Sequence, residues 1–145
     1  MLERVRGHDQ VLVGHELVDQ AFDRQIADFV RLARFDVGDL LRAHLHSGRT
    51  HQIRVHLASA GHPVLGDDTY GGGGGRRLVA LPARRHFLHA AWLRFRHPIT
   101  GAQLDLRAPL PDDLRASRAA LARAPELADH PDPLATLGFY DDADR

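Results

Sequence analysis

Residues 87–107 keep a period of two that is interrupted only once. Phe87, His89, Ala91, Leu93 and Phe95 alternate with Leu88, Ala90, Trp92, Arg94 and Arg96; His97-Pro98-Ile99-Thr100-Gly101 then supplies turn residues, and residues 102–107 alternate again. Successive side chains of an extended chain point to opposite faces, so this pattern predicts two strands joined as a hairpin. A second unit of the same kind lies upstream. Residues 29–35 have strand-like content, Asp36-Val37-Gly38-Asp39 makes a turn, and residues 40–46 set Leu41, Ala43 and Leu45 on one face against Arg42, His44 and His46 on the other. That second strand is expected to be half-buried, with a basic and titratable outer face.

The stretch between the hairpins reads differently. Thr50 is a fitting N-cap for a helix that places Ile53, Leu57 and Ala60 on one face and stops at Gly61. Residues 61–68 form a loop, and Gly71 to Gly75 form a flexible one. A phosphate-cradling role for these glycines would need a following Gly-Lys-Ser/Thr, which is absent. Pro111-Asp112-Asp113 opens a further helix to about Arg123, with its acids in the first turn where the helix dipole favours them. The expected organisation is α+β: an irregular lead-in over 1–26 with at most a short strand around Val11-Leu12-Val13 and a short helix, a folded portion over 27–123, and a loose acidic tail over 124–145. The sheet is expected to be mixed but mainly antiparallel, with helices on one side.

Charge narrows the partner. The net charge is zero, but it is segregated: residues 1–41 hold 5 arginines against 8 acids, residues 42–107 hold 10 against 3 together with 8 of the 11 histidines, and residues 108–145 hold 4 against 8. A basic middle between acidic flanks suits a polyanion such as nucleic acid. All 19 basic residues are arginine, and neither lysine nor asparagine occurs. A GC-rich genome accounts for that as well as function does, and it removes lysine Schiff-base chemistry. The absence of cysteine excludes disulfides, thiolate zinc sites and cysteine nucleophiles. No apolar run approaches the roughly 20 residues of a membrane span, and Met1 to Arg6 has no apolar stretch behind its basic residues, so a cytoplasmic protein is expected.

The chemistry-bearing residues concentrate between His44 and His62. Helix N-terminal amides and arginine forks at one spot favour a phosphate or a carboxylate; a solvated helix with an ordinary cap is the plainer reading of the same residues. A metal site is the alternative for the histidines. His51 and His56, however, are five apart and diverge on a helix, and no glutamate occurs between Glu16 and Glu126. None of the serines, Ser47, Ser59 and Ser117, sits in a Gly-x-Ser-x-Gly elbow.

Ser47-Gly48-Arg49-Thr50-His51-Gln52-Ile53-Arg54-Val55-His56-Leu57, followed by Gly61-His62-Pro63-Val64-Leu65-Gly66-Asp67 and Tyr70-Gly71, resembles the RluA-type family of RNA pseudouridine synthases. The family pattern there is G-R-T-H-Q-I-R-x-H-L, then G-H-P-(I/V)-x-G-D-x-x-Y-G. Leu88-His89-Ala90, Leu93, Phe95, His97-Pro98, Thr100-Gly101 and Ala108-Pro109-Leu110-Pro111 keep the family's order and spacing, so the resemblance covers about residues 27–120.

The resemblance implies part of the pseudouridine-synthase fold and isomerisation of uridine in structured RNA, ribosomal or transfer, with no metal or organic cofactor. By the same resemblance Arg54 pairs with the catalytic aspartate, Phe29 stands where the family usually has the tyrosine that stacks on the flipped base, and Leu88 lies beneath the target ring. Arg49, His51 and Gln52 meet the RNA backbone, joined by Arg42 from the basic strand face. The family's nucleophile belongs to an H-R-L-D motif N-terminal to everything matched, and this sequence contains none. The chain is therefore expected to be a truncated product, half of a split enzyme, or an RNA-binding relic. Open strand edges are expected to favour self-association.

Overall fold

The computed structural model describes residues 8–15, 27–46, 51–73 and 80–141 of the 145. Five strands, β1 (His8–His15), β2 (Ala27–Phe35), β3 (Gly38–Leu45), β4 (Leu88–Arg96) and β5 (Gln103–Arg107), form one sheet in the order β2-β3-β1-β4-β5. Helix α1 (Gln52–Ser59) lies between β3 and β4 in sequence. Helix α2 (Asp112–Leu121), a 3₁₀ turn (Pro125–Asp129) and the short α3 (Pro133–Thr136) follow β5. The α+β class is as expected. Both expected hairpins form, β2 with β3 and β4 with β5, and all the described ladders are antiparallel rather than mixed.

Local order in the sequence does not announce the place of β1. The expected irregular lead-in contains this eight-residue strand, which pairs with β3 on one side and β4 on the other and so lies at the centre of the sheet. Residues 1–7 and 16–26, where a short helix was expected, lie outside the described residues. Because β1 covers its far edge, β3 is buried almost throughout and has no exposed basic face. The expected alternation of β4 also fails at one point. Asp9 faces Trp92 and Gln10 faces Ala90, so Ala91 has no partner on β1, and both Ala91 and Trp92 are buried. A bulge sets two residues against one and lets neighbours in sequence share the interior.

The core is double, one half on each face of the sheet. Leu12, Leu41, Ala43 and Leu45 meet Ile53 and Leu57 of α1 on one face, together with Val64 and, at the rim, Phe29 and Leu88. Leu40 points the other way, to a cluster with Phe87, Trp92, Leu110, Leu114 and Leu121 of α2, Leu134 of α3, and Phe139. Helices thus cover both faces, not one. The expected loose tail is part of this second cluster, since Leu134 and Phe139 are completely buried. A sheet flanked on both faces needs a cover for each, and the acidic segment after Pro125 supplies apolar side chains for the second.

Candidate active site

α1 begins without a side-chain cap. His51 occupies the N-cap position with φ 53°, a left-handed conformation costly for a residue with a Cβ, and Gly61 at φ 84° ends the helix region as expected. Thr50, the expected cap, and Arg49, an expected RNA contact, lie outside the described residues. Burial of Ile53 and Leu57 fixes the helix on the sheet and leaves Arg54 at its flank.

Arg54 is held by a carboxylate from the following loop. Its Nε donates to Oδ2 of Asp67 and its Nη2 to Oδ1, both at 2.8 Å. The Asp67 side chain is fully buried and that of Arg54 is 13% exposed. The amides of Thr69 and Tyr70 also donate to Asp67 Oδ1, at 3.2 and 3.3 Å. The Arg54 hydrogen bonds hold the Asp67 carboxyl below the usual carboxylate range, against the burial that would raise it, and Asp67 in return holds the guanidinium above its ordinary value. The ring of Tyr70 lies 5.1 Å from the guanidinium carbon, and its hydroxyl is 3.2 Å from Nδ1 of His51. His86 completes the group; burial pushes its imidazole down, and the Arg54 charge adds to the effect.

The Asp67 loop is built on backbone contacts. Gly66 N donates to Gly72 O, Gly72 N to Asp67 O, and Asp67 N to Val64 O, while Val64 bridges to Gly14 of β1. The described part of the glycine run is therefore pinned rather than loose; residues 74–79 lie outside the description. A Cβ on Gly72 would stand 1.9 Å from Val64 O, and one on Gly66, at φ 84°, would stand 2.4 Å from Arg85 O. Gly72→Ala is expected to cost about 3 kcal/mol or more of stability, because backbone must move to admit the methyl group. Urea denaturation reads this directly, and a loss below about 0.5 kcal/mol would show that the turn is not packed as described.

Of the other expected site residues, Phe29 on β2 and Leu88 on β4 each pack at the rim of the cluster under α1, with β3 and β1 between their strands. The Phe29 ring lies parallel to that of His56, at 7° and 6.2 Å between centroids. Gln52 is half-buried at the start of α1 and His51 is exposed. Arg42 is a correction. It is buried, and its Nη1 donates to the carbonyls of Phe139 and Asp141, both at 3.0 Å, on the sheet face opposite α1. The strand alternation placed it correctly away from Leu41 and Ala43, but the tail covers that face, so Arg42 is a structural anchor and not an RNA contact. Sequence reasoning gave no role to Asp67, Tyr70 or His86. The first two belong to the G-D-x-x-Y-G run, which was the available signal; His86 carries none. Among the described residues no group of three histidine or acidic side chains stands together to hold a metal ion, and no helix is long and apolar enough to cross a membrane.

The geometry thus sets α1 on one face of an antiparallel sheet, with an arginine fixed by a buried carboxylate at its flank. The chain is 45% identical over 100 residues to the ribosomal large subunit pseudouridine synthase D of Vibrio parahaemolyticus, a match covering 63% of this chain and 31% of that protein. It is 46% identical over 91 residues to the ribosomal large subunit pseudouridine synthase C of Yersinia pestis, covering 62% of this chain and 28% of the relative. Among solved structures, the human RNA pseudouridylate synthase domain containing 4 superposes with a TM-score of 0.61 at 19% identity, over 80% of this chain and 62% of that one. The domain containing 1 protein gives 0.50 at 23% identity, over 88% and 68%. The structural likeness establishes the pseudouridine-synthase fold. No family model matches the chain. Over the matched residues the chain is similar to ribosomal large subunit pseudouridine synthases, and it spans about a third of the length of the curated relatives it matches.

Proposed function

We propose that this chain is the portion of an RNA pseudouridine synthase that supplies the arginine and the base-flanking side chains of the active site. The observation that carries this reading is Arg54, charged and held by the buried Asp67 within the motif that carries the family resemblance. In the reaction, the bond from C1′ to the uracil nitrogen breaks, the base turns, and C5 bonds to C1′ while the C5 proton leaves and the freed nitrogen takes up a proton. Arg54 would hold the attacking aspartate ionised; Phe29 would stack on the base, and Leu88 would lie beneath it. Phe29 has no hydroxyl, so it can take no proton itself. The sequence holds no H-R-L-D, and the nucleophile must come from another segment or polypeptide. The names of the relatives favour ribosomal over transfer RNA as the substrate. In this reading the chain works in the cytoplasm and contacts RNA through Arg49, His51 and Gln52. The sheet edges β2 and β5 and the exposed Ile99 and Leu106 support self-association or docking of the complementary segment.

The decisive experiment combines this chain with a polypeptide supplying the H-R-L-D segment and assays pseudouridine in ribosomal RNA. Product is expected from the combination and not from either part. Arg49→Ala is expected to weaken RNA binding and to reduce its salt slope by about one unit. No product from the combination, with salt-dependent RNA binding retained, would favour the second reading, an RNA-binding relic, which the missing H-R-L-D motif also supports. Loss of both readouts would sink the proposal.

A further inference from the structure

Arginine presents five N–H donors around a planar fork, and the way they are used in this site is asymmetric. Asp67 takes the side-on edge, made by Nε and Nη2. The end-on edge, made by Nη1 and the outer hydrogen of Nη2, donates to no described residue and is left for a bidentate acceptor. The plane of the fork is fixed twice, by the pair of 2.8 Å bonds and by the Tyr70 ring below it. Asp67 itself is fixed by main-chain groups, the amides of Thr69 and Tyr70 and the closed turn between Gly66 and Gly72. The direction of the guanidinium is thus set by backbone rather than by mobile side chains.

We propose that Asp67 is the positioning residue of this site: by occupying the side-on edge of Arg54 it turns the end-on edge into a ready receptor for a second carboxylate. The inference rests on the reading above, in which that carboxylate is the attacking aspartate. It explains why a buried acid with no part in the bond changes stands in the G-D-x-x-Y-G run. An arginine carrying only its own rotamer preferences would have to be ordered each time the nucleophile arrived, and a pre-set fork avoids that loss. Asp67 also neutralises Arg54 in the absence of the second carboxylate, so the buried cation is never left unpaired.

Two readouts test this. The first needs no activity. In the ¹⁵N-arginine-labelled chain, the Nε–H signal of Arg54 is assigned by its disappearance in Arg54→Ala. Asp67→Asn, which keeps the shape and an acceptor oxygen, is expected to speed exchange of that hydrogen by roughly tenfold or more. Unchanged exchange overturns the proposal. The second uses the combination with the H-R-L-D polypeptide. Asp67→Asn is expected to lower kcat and to leave KM for RNA within about twofold, and the double variant R54A/D67N is expected to be no slower than R54A. A double variant that falls to the product of the two single losses would show that Asp67 acts independently of Arg54, and would overturn the proposal. If Asp67→Asn fails to fold, Arg54→Lys keeps the charge without the fork; it is expected to lose kcat, and full activity would overturn the proposal. If the unaltered combination makes no pseudouridine, the functional reading fails, and the exchange measurement alone decides whether Asp67 sets Arg54.

Discussion

Replacing Phe139 by alanine is expected to cost about 3–5 kcal/mol of stability, a large share of the roughly 5–15 kcal/mol available to a domain of this size. The ring is completely buried in the cluster that joins Leu40 of β3, Trp92 of β4, Leu114 and Leu121 of α2 and Leu134 of α3. Its removal opens a cavity bounded by four elements that cannot all collapse into it. The Phe139 carbonyl also accepts from Arg42, so a tail that shifts to fill the cavity leaves a buried guanidinium with one acceptor fewer. Denaturation in urea, with the midpoint and slope compared, reads the effect. A loss of less than about 0.5 kcal/mol would mean that the tail is the loose appendage its composition suggests, and that Arg42 is free for other partners.

Arg54→Ala is expected to cost about 3–5 kcal/mol near neutral pH, and less in acid. The substitution leaves the Asp67 carboxylate fully buried, with only the Thr69 and Tyr70 amides to stabilise it. In the unaltered chain Arg54 keeps the folded-state value of Asp67 below its unfolded value, so the pair contributes stability above the ordinary carboxylate range and loses it as pH falls through the lowered value. In Arg54→Ala the largest opposing influence is gone, and burial, countered only by the loop amides and His86, is expected to raise Asp67. The folded variant then takes up a proton before the unfolded chain does, and acid removes the penalty. The gap between the two proteins should therefore narrow from pH 7 to pH 4.5, and adding Asp67→Asn should recover part of the loss at pH 7. A gap that is equal at both pH values would show that the cost comes from packing of the arginine stem rather than from the orphaned charge.

The two hairpins and the class of the fold were legible because alternation, turn residues and hairpin pairing are all local. The bulge at Ala91 was not, because it depends on how β4 meets β1, a strand far away in sequence. Arg42 shows the same limit: its face was correctly assigned, but whether that face meets solvent depended on residues 133–141. Arg54 stands in the motif that carries the resemblance. Its partner Asp67 lies 13 positions on, across a helix end and a glycine turn, and no spacing rule joins them.

What the sequence by itself determined was the set of local choices. Residues alternate where strands form, glycine stands at turns such as Gly61 and Gly66 where φ is positive, and the motif gathers its charged residues into one short stretch. These are consequences of sterics and periodicity within a few residues. Only the tertiary structure decided which strand is central, which faces are covered, and which acceptors Arg42 and Arg54 find. Those outcomes depend on distant segments competing to cover apolar surface and to satisfy buried charge, as the tail does over β3 and as Asp67 does for Arg54.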